Sequence, residues 1–427
     1  MKNLKEKTLK MEIKENFSIK RIKNIGYLYI VQLLNQIFPI FTMPLLIRNL
    51  GMSDYGILQF ALAYSSYVYL VSDYGFALSA PKEIALNKKD IKLISNTYYN
   101  VQLLRLLLLS LCYLLVFIFF AVTKVFAIYE NICLMMFFYT LGSILFPVWL
   151  FQGMEDLGYS SILTMACKTL QLILFFIYFK TGNSVKTVVL IYGMSNLAQA
   201  LVAHLIVIKR YNIIFSAPKL VDLRYLLKTG WYMFISQSAT SLFSSLNVII
   251  LGAISTPFYV GIFSTGEKLI RAAVNFVGPL SRAIYPASCQ YFAQSEEDGI
   301  TFIKKVAKYA IPLFSFGCLI LLIFSNFISS IFTTENTNAV SIIIKILSPV
   351  PLLVLINNFA GTQIMLNLGL EKKFSLIVVI TGVINILFAF ILIPIFNANG
   401  MAIASLISEF FIMFATVIYV FKWRRLK

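Results

Sequence analysis

Long apolar runs separated by short polar stretches dominate the pattern of hydrophobic and polar positions along this chain. A helix needs roughly 20 apolar residues to cross the hydrocarbon core of a bilayer. The pattern predicts twelve such helices, at residues 25–47, 56–79, 94–122, 126–151, 158–179, 187–208, 229–251, 258–281, 306–332, 340–366, 374–396 and 400–422. We therefore expect an all-α polytopic membrane protein.

The longest interior polar stretch, residues 209–228, divides these helices into two sets of six. An offset of 205 residues aligns the two sets and matches Gln32 with Gln237, Gly56 with Gly261, and Pro81 with Pro286. Chance similarity between apolar segments is the alternative explanation. Since six is an even number, both sets would insert in the same orientation, which predicts two six-helix lobes related by a pseudo-two-fold axis along the membrane normal. The expected order is a basic N-terminus (1–24), an N-lobe (25–208), a linker (209–228), a C-lobe (229–422) and a tail (423–427).

Composition supports a membrane protein. The 427 residues are 59% hydrophobic and 13% charged, and the mean hydropathy is +0.83, which excludes an ordinary soluble domain. The five cysteines show neither metal-ligand spacing nor a disulfide framework. No short apolar segment with a small-residue cleavage site precedes the first long run, so we expect no removable signal peptide and interpret that run as its own insertion signal.

The net charge of +18 is distributed unevenly. With the N-terminus inside, the cytoplasmic segments hold 25 lysines and arginines and the opposite segments hold four. This bias predicts that both termini are cytoplasmic. It also accounts for the basic composition without nucleic acid, because basic residues at the inner surface attract anionic lipid headgroups.

Four cations lie near the middle of predicted spans, where a charge costs about 2.5–3.5 kcal/mol and usually marks a cavity or an ion site. They are Arg105, Lys168, Lys268 and Arg271. Helical spacing places several polar residues on faces shared with these cations or on a further polar face of the first span. In the fifth span, the polar stripe that contains Lys168 consists of Ser161, Thr164 and Gln171. The secondary cavity candidates on these faces are Gln32, Asn35, Gln102, Asn275 and Arg282. Arg282 has an alternative explanation, because it lies near enough to a span end to reach the interface, as Lys345 does.

The intramembrane anions Asp73, Glu267 and Glu409 are fewer, and they are candidates for binding a coupling proton or sodium ion. Glu267 and Arg271 are four residues apart and can neutralise each other. A positive surplus remains and favours an anionic ligand, most naturally a phosphate group. Lys268 ranks below the other cations because it lies off the main polar stripe of its helix.

The sequence contains no P-loop, no GxSxG elbow and no HExxH motif, and it shows no acidic pair with catalytic spacing. We therefore expect a protein that is not an enzyme and uses no cofactor. Any transport would then be driven by an ion gradient, the membrane potential or the substrate's own gradient.

Three segments resemble the Wzx-type O-antigen and polysaccharide flippases, a family of the multidrug/oligosaccharidyl-lipid/polysaccharide exporter superfamily. They are FPVWLFQGME at 146–155, RNLGMSDYG at 48–56 and YVGIFSTGEKLIR at 259–271. They fall in the expected order, so the resemblance covers nearly the whole chain. The match to intramembrane basic residues includes Arg271 and, less closely, Arg105 and Lys168.

The resemblance implies a flippase of the bacterial cytoplasmic (inner) membrane that moves undecaprenyl-pyrophosphate-linked oligosaccharides outward by alternating access. It implies a cationic central cavity, and we expect membrane lipid and polysaccharide polymerase or assembly proteins as partners. Three alternatives stay open. A multidrug exporter of related fold would need an acidic cavity for organic cations, a lipid II-type flippase would need fourteen spans, and a membrane enzyme would need an exterior loop or a carboxylate cluster.

Overall fold

A computed structural model describes the backbone of residues 2–123, 126–180 and 182–425, with side chains in those ranges except 2–37, 220, 232, 236–245 and 424–425. Every regular element in these ranges is helical. The chain forms two compact units, which are Met1–Thr42 with Ala61–Leu242 (unit 1) and Met43–Phe60 with Phe243–Lys427 (unit 2). Helices α1 (Lys2–Asp73) and α9 (Leu220–Ile254) each contribute to both units.

Unit 1 contains seven further helices within its described residues. They are α2 (Phe76–Leu86), α3 (Ile91–Val122), α4 (Ala127–Met135), α5 (Phe137–Leu145), α6 (Val148–Gly153), α7 (Leu157–Tyr178) and α8 (Val185–Tyr211). Phe76, Tyr98, Trp149 and Phe151 are buried together and form much of its core. The core therefore joins the ends of α2, α3 and α6.

A sharp turn ends the first helix of unit 1 earlier than the predicted bound of 79. Tyr74 and Gly75 have φ values of 50° and 80°, and a new helix starts at Phe76. A Cβ atom on Gly75 would lie 2.7 Å from the backbone nitrogen of Phe234 in α9. Glycine is favoured here because it tolerates positive φ and allows this close backbone approach.

The C-terminal part of unit 2 contains eight α-helices and one π-helical segment. They are α10 (Pro257–Val274), α11 (Val277–Gln294), α12 (Glu296–Ile323), α13 (Ser325–Phe332), α14 (Thr337–Leu347), α15 (Val350–Asn357), the π segment (Asn358–Met365), α16 (Glu371–Phe396) and α17 (Ala398–Arg425). The predicted helix 340–366 is thus three pieces, with Pro349 next to the first break. Proline lacks a backbone donor and sterically disfavours an uninterrupted helix.

Residues 43–60 of α1 pack in unit 2, against the beginning of α10. Within this segment Gly51 has φ 79° and ψ 166°, which kinks α1 between the first two predicted spans. A Cβ atom on Gly56 would overlap the carbonyl oxygen of Pro257, and one on Gly261 would overlap that of Met52. The two backbones therefore touch directly at a pair of glycines.

Among the described residues, eight helical stretches are long and apolar enough to cross a membrane. They are Ile91–Val122, Ala127–Gly153, Leu157–Tyr178, Val185–Tyr211, Glu296–Ile323, Thr337–Met365, Glu371–Phe396 and Ala398–Trp423. Each coincides with a predicted span to within a few residues, except that the stretch Glu296–Ile323 begins about ten residues earlier and ends before its predicted bound. Helix α10 is less apolar because it carries Glu267, Lys268 and Arg271. The total of twelve, the lobes at 25–208 and 229–422, and the orientation of the termini stay predictions.

Candidate functional site

Arg105 lies in α3 and forms an ion pair with Asp73, the last residue of α1. The Arg105 Nη2 to Asp73 Oδ1 distance is 2.9 Å, and the two side chains are 2% and 1% exposed. The other carboxylate oxygen of Asp73 accepts a hydrogen bond of 3.1 Å from the backbone nitrogen of Ala77. Asp73 therefore neutralises Arg105 and holds the beginning of α2. In this conformation Arg105 presents no accessible guanidinium, and a direct phosphate contact by it stays a prediction.

Further polar groups surround this ion pair. Gln102, one helical turn before Arg105, is buried and donates 3.1 Å to the carbonyl oxygen of Leu145. His204 of α8 forms a short hydrogen bond through Nδ1 with the hydroxyl of Tyr98. Gln102 was a cavity candidate, but its amide nitrogen is used to join α3 to the end of α5. This region of unit 1 therefore connects helices through polar contacts.

Lys168 lies halfway along α7 and is half-buried. Its ammonium is 4.6 Å from the ring centroid of Phe38, a cation–π contact. In the described part of the chain no carboxylate pairs with Lys168. The described residues therefore leave its positive charge unneutralised, and such a charge in a membrane helix favours an anionic ligand.

The polar stripe predicted around Lys168 is largely used in packing α7 against α8. Gln171 is buried and donates to Asn196 at 3.2 Å, while Gln199 donates to Thr164 at 3.2 Å. Ser161 donates to Leu157 of its own helix at 2.9 Å. Two residues of the predicted stripe, Thr164 and Gln171, therefore form hydrogen bonds with α8, and Ser161 bonds its own helix.

Lys268 of α10 contacts residues 43–60 within unit 2. Its Nζ atom donates to Gln59 Oε1 at 2.5 Å and to the hydroxyl of Tyr55 at 3.4 Å, and it lies 5.6 Å from the Tyr55 ring centroid. Sequence reasoning missed both partners. The available signal was the four-residue spacing of Tyr55 and Gln59, which places them on one helical face.

Arg271 lies one turn further along α10 and pairs with Glu267 at 3.3 Å, as the four-residue spacing predicted. The Arg271 side chain is 42% exposed. Glu409 of α17 is close enough to interact electrostatically with Arg271. Two carboxylates thus accompany the two cations of α10, whereas Lys168 in unit 1 has none among the described residues.

The remaining candidates are dispersed. Gln32 and Asn35 lie outside the described side chains. Asn275 caps the end of α10, where its backbone nitrogen bonds the carbonyl oxygen of Arg271 at 2.9 Å. Arg282 is exposed on α11, and Lys345 is exposed on α14.

A polar contact fixes the connection between α8 and α9, which is non-helical only from 212 to 219. Asn96 of α3 donates to Asp222 of α9 at 2.9 Å and accepts from Ser216 at 3.2 Å. Glu83 of α2 accepts a hydrogen bond of 3.5 Å from Thr97, the residue after Asn96 in α3. Burial and the nearby negative charge of Asp222 raise the pKa of Glu83 above the ordinary glutamate value, although the Thr97 hydrogen bond opposes this.

Comparison with known proteins shows relatives along nearly the whole chain. The family model described as polysaccharide biosynthesis protein matches residues 22–292, more than half of the chain. A protein named "Putative O-antigen transporter" from Escherichia coli (strain K12) is 29% identical, over 91% of this chain and 93% of its own length. One of the same name from Shigella dysenteriae is 26% identical, over 92% and 98%.

Solved structures share the fold at low sequence identity. An inward-facing multidrug resistance MATE family transporter of the MOP superfamily has a TM-score of 0.73 and 15% identity, covering 94% of this chain and 97% of its own. The lipid II flippase MurJ in an inward closed conformation has a TM-score of 0.67 and 13% identity, covering 93% and 87%. The chain therefore shares its fold with these two membrane proteins.

These matches confirm the predicted resemblance to the O-antigen flippases, which rested on three short segments. The apolar helices and the relatives together show a multi-pass membrane protein. The family match extends over α1 to α11 and so includes Asp73, Arg105, Lys168 and the charged residues of α10. The chain belongs to the polysaccharide biosynthesis protein family.

Proposed function

We propose that this protein is a flippase for undecaprenyl-pyrophosphate-linked oligosaccharide repeat units. It would move the pyrophosphate–sugar headgroup from the cytoplasmic to the outer leaflet by alternating access, while the polyprenyl chain stays in lipid. The two relatives named as O-antigen transporters support the transport class. Their coverage of more than nine-tenths of both chains extends this support to the whole protein.

The observation that carries the phosphate part of the proposal is the environment of Lys168. An ammonium inside a membrane helix is costly unless a counter-ion or polar partner accompanies it. The described neighbours of Lys168 supply an aromatic face but no carboxylate. A pyrophosphate oxygen would supply the missing negative charge, and the ammonium would replace water that the phosphate loses on entering the membrane.

The α10 cations would assist in a different way. Lys268 has an uncharged hydrogen-bond partner in Gln59, and the Arg271 side chain, which pairs with Glu267 at 3.3 Å, is 42% exposed. A pyrophosphate has enough oxygens to engage more than one cation. We propose Lys168, Lys268 and Arg271 as the phosphate-binding cations, with Arg105 acting through Asp73 in the conformation described. Asp73, Glu267 and Glu409 remain the candidates for a coupling proton or sodium ion.

Reconstitution in liposomes tests the proposal. We expect purified protein to transfer a fluorescent polyprenyl-pyrophosphate oligosaccharide between leaflets, and protein-free liposomes to do so much more slowly. Varying the proton and sodium gradients in the same assay identifies the coupling ion. Transport of an organic cation with no transfer of the glycolipid would instead favour the multidrug exporter, and transfer of lipid II alone would favour the lipid II-type flippase.

A further inference from the structure

The contact between residues 43–60 and α10 is reciprocal. Gly56 faces the carbonyl oxygen of Pro257, and Gly261 faces that of Met52. The 205-residue offset that relates the two sets of predicted helices converts Gly56 to Gly261 and Met52 to Pro257. In a two-fold contact, residue i meets j and the equivalent of j meets the equivalent of i. This backbone contact has that property.

Lys268 adds a one-sided interaction to this symmetric contact. The offset relates Lys268 to Ala63 and Gln59 to Ser264, so the reciprocal pair lacks an ammonium. On the existing side, Lys268 donates to Gln59 at 2.5 Å and to Tyr55 at 3.4 Å. The two-fold relation between the halves does not require this interaction, so the Lys268 contact is distinct from the glycine contact.

The oxygens that accept hydrogen bonds from Lys268 are of a kind that a phosphate oxygen can replace. Gln59 and Tyr55 offer Lys268 neutral oxygens and an aromatic face. A phosphate oxygen carries a negative charge, so it adds a Coulomb attraction to the ammonium that the neutral oxygens of Gln59 and Tyr55 do not supply. A phosphate oxygen near Lys268 would therefore displace Gln59. Lys268 as a whole residue is only partly buried.

We infer that Lys268, Gln59 and Tyr55 form a latch that pyrophosphate releases. Without ligand, Lys268 holds residues 43–60 against α10. When a pyrophosphate group binds Lys268, the hydrogen bonds to Gln59 and Tyr55 are lost, and the remaining contacts of residues 43–60, among them the glycine contact, hold the segment less tightly. This inference rests on the proposed function, and it gives Gln59 and Tyr55 a positioning role that depends on the charge of the substrate.

Chemical crosslinking tests the latch through a reporter outside it. Arg48 Nη2 donates 3.3 Å to the carbonyl oxygen of Ile331, and both side chains are exposed. Arg48→Cys and Ile331→Cys would be joined by a short bis-maleimide in full-length protein whose five native cysteines are replaced. Inorganic pyrophosphate serves as the probe, with sulfate as the control anion.

We expect pyrophosphate to lower the crosslink yield about tenfold, while sulfate has little effect. Gln59→Ala should lower the yield without any ligand. Lys268→Arg should keep the response, and Lys268→Gln should abolish it. The matched control Lys372→Gln, an exposed lysine of α16, should respond like the parent protein.

The latch is wrong if pyrophosphate leaves the parent yield unchanged, or lowers it equally in Lys268→Gln. It is also wrong if Gln59→Ala crosslinks as well as the parent. Glycolipid transfer is measured separately on the same protein. Normal transfer with no crosslink response overturns the latch alone, whereas a response without transfer overturns the flippase and leaves a phosphate-sensitive contact.

Discussion

The charge of Arg105 is held inside unit 1 by a single carboxylate. Its Nε and Nη1 atoms have no hydrogen-bond partner among the described residues, and its ion-pair partner there is Asp73, with the Tyr69 side chain also close by. Removing one member of a buried ion pair leaves an uncompensated charge, which costs more than the pair itself contributes. Arg105 therefore matters for stability first, and any role in transport acts through Asp73 and the turn that follows it.

Arg105→Gln should lower the free energy of unfolding by about 3–5 kcal/mol, because Asp73 would remain buried without its counter-ion. Thermal unfolding of the protein in detergent measures the change. The exchanged pair Asp73→Arg with Arg105→Asp should recover part of the loss. A single Arg105→Gln variant as stable as the parent protein would show that the ion pair contributes little.

Residue types and helical spacing predicted which charges lie inside the membrane helices, but not their partners. The Glu267–Arg271 pair was predictable since both residues belong to one helix. The Asp73–Arg105 and Gln59–Lys268 contacts join segments far apart in sequence, so no local pattern contains them. The polar stripe beside Lys168 illustrates the same limit. Helical spacing cannot distinguish a polar face that lines a water-filled cavity from one that forms hydrogen bonds with a neighbouring helix.

Helix positions could be predicted to within a few residues for most spans, whereas their interruptions could not. Apolar length fixes where a helix must cross a bilayer. The breaks near Pro147 and Pro349 follow from missing donors, but a proline inside a membrane helix does not always break it. The turn at Tyr74 and Gly75 depends on packing against α9, which lies about 160 residues later.

Gly56→Ala should separate residues 43–60 from α10, because the new methyl group would overlap the carbonyl oxygen of Pro257. We expect a loss of stability of about 1–3 kcal/mol, typical of overpacking, and a lower Arg48–Ile331 crosslink yield. Gly317→Ala is the matched control, since nothing lies within 4 Å of a Cβ at that position in α12. Equal behaviour of the two variants would contradict a tight glycine contact.

Glu83 should make the connection between α8 and α9 sensitive to pH. The folded-state pKa of Glu83 is raised, mainly by burial. The contribution of Glu83 to the free energy of unfolding is therefore fully present while its carboxyl is protonated, and it is lost as pH rises through that pKa. Glu83→Gln should therefore unfold at a higher temperature than the parent protein at neutral pH. Below the ordinary glutamate pKa the two unfolding temperatures should differ little. Unfolding midpoints from pH 4 to 8 measure this.

The exposed Glu335 provides the control for that comparison, as Glu335→Gln should leave the pH dependence unchanged. A constant difference between Glu83→Gln and the parent protein across the pH range would show that Glu83 titrates alike in the folded and unfolded states.

At the scale of the whole molecule, the proposed phosphate binding depends on the balance between cations and anions inside the membrane helices. Bulk composition predicted the membrane class and a surplus of cations. The described contacts assign Asp73 to Arg105 and place Glu267 and Glu409 beside Arg271. The lysines are then left with neutral or aromatic partners. The placement of residues 43–60 in unit 2 was not predictable, because chain order suggested that they belong with the first six helices.

The most direct test of the central claim is glycolipid transfer in liposomes by the parent protein, Lys168→Gln and Lys168→Arg, using one oligosaccharide on a pyrophosphate or on a neutral linker. We expect the parent protein to transfer only the pyrophosphate form rapidly. The rate of that transfer should fall about tenfold or more in Lys168→Gln, which corresponds to a rise in activation free energy of about 1.4 kcal/mol or more. Transfer by Lys168→Arg should be near normal. Full activity of Lys168→Gln on the pyrophosphate form, or equal transfer of both linkers by the parent protein, would contradict it.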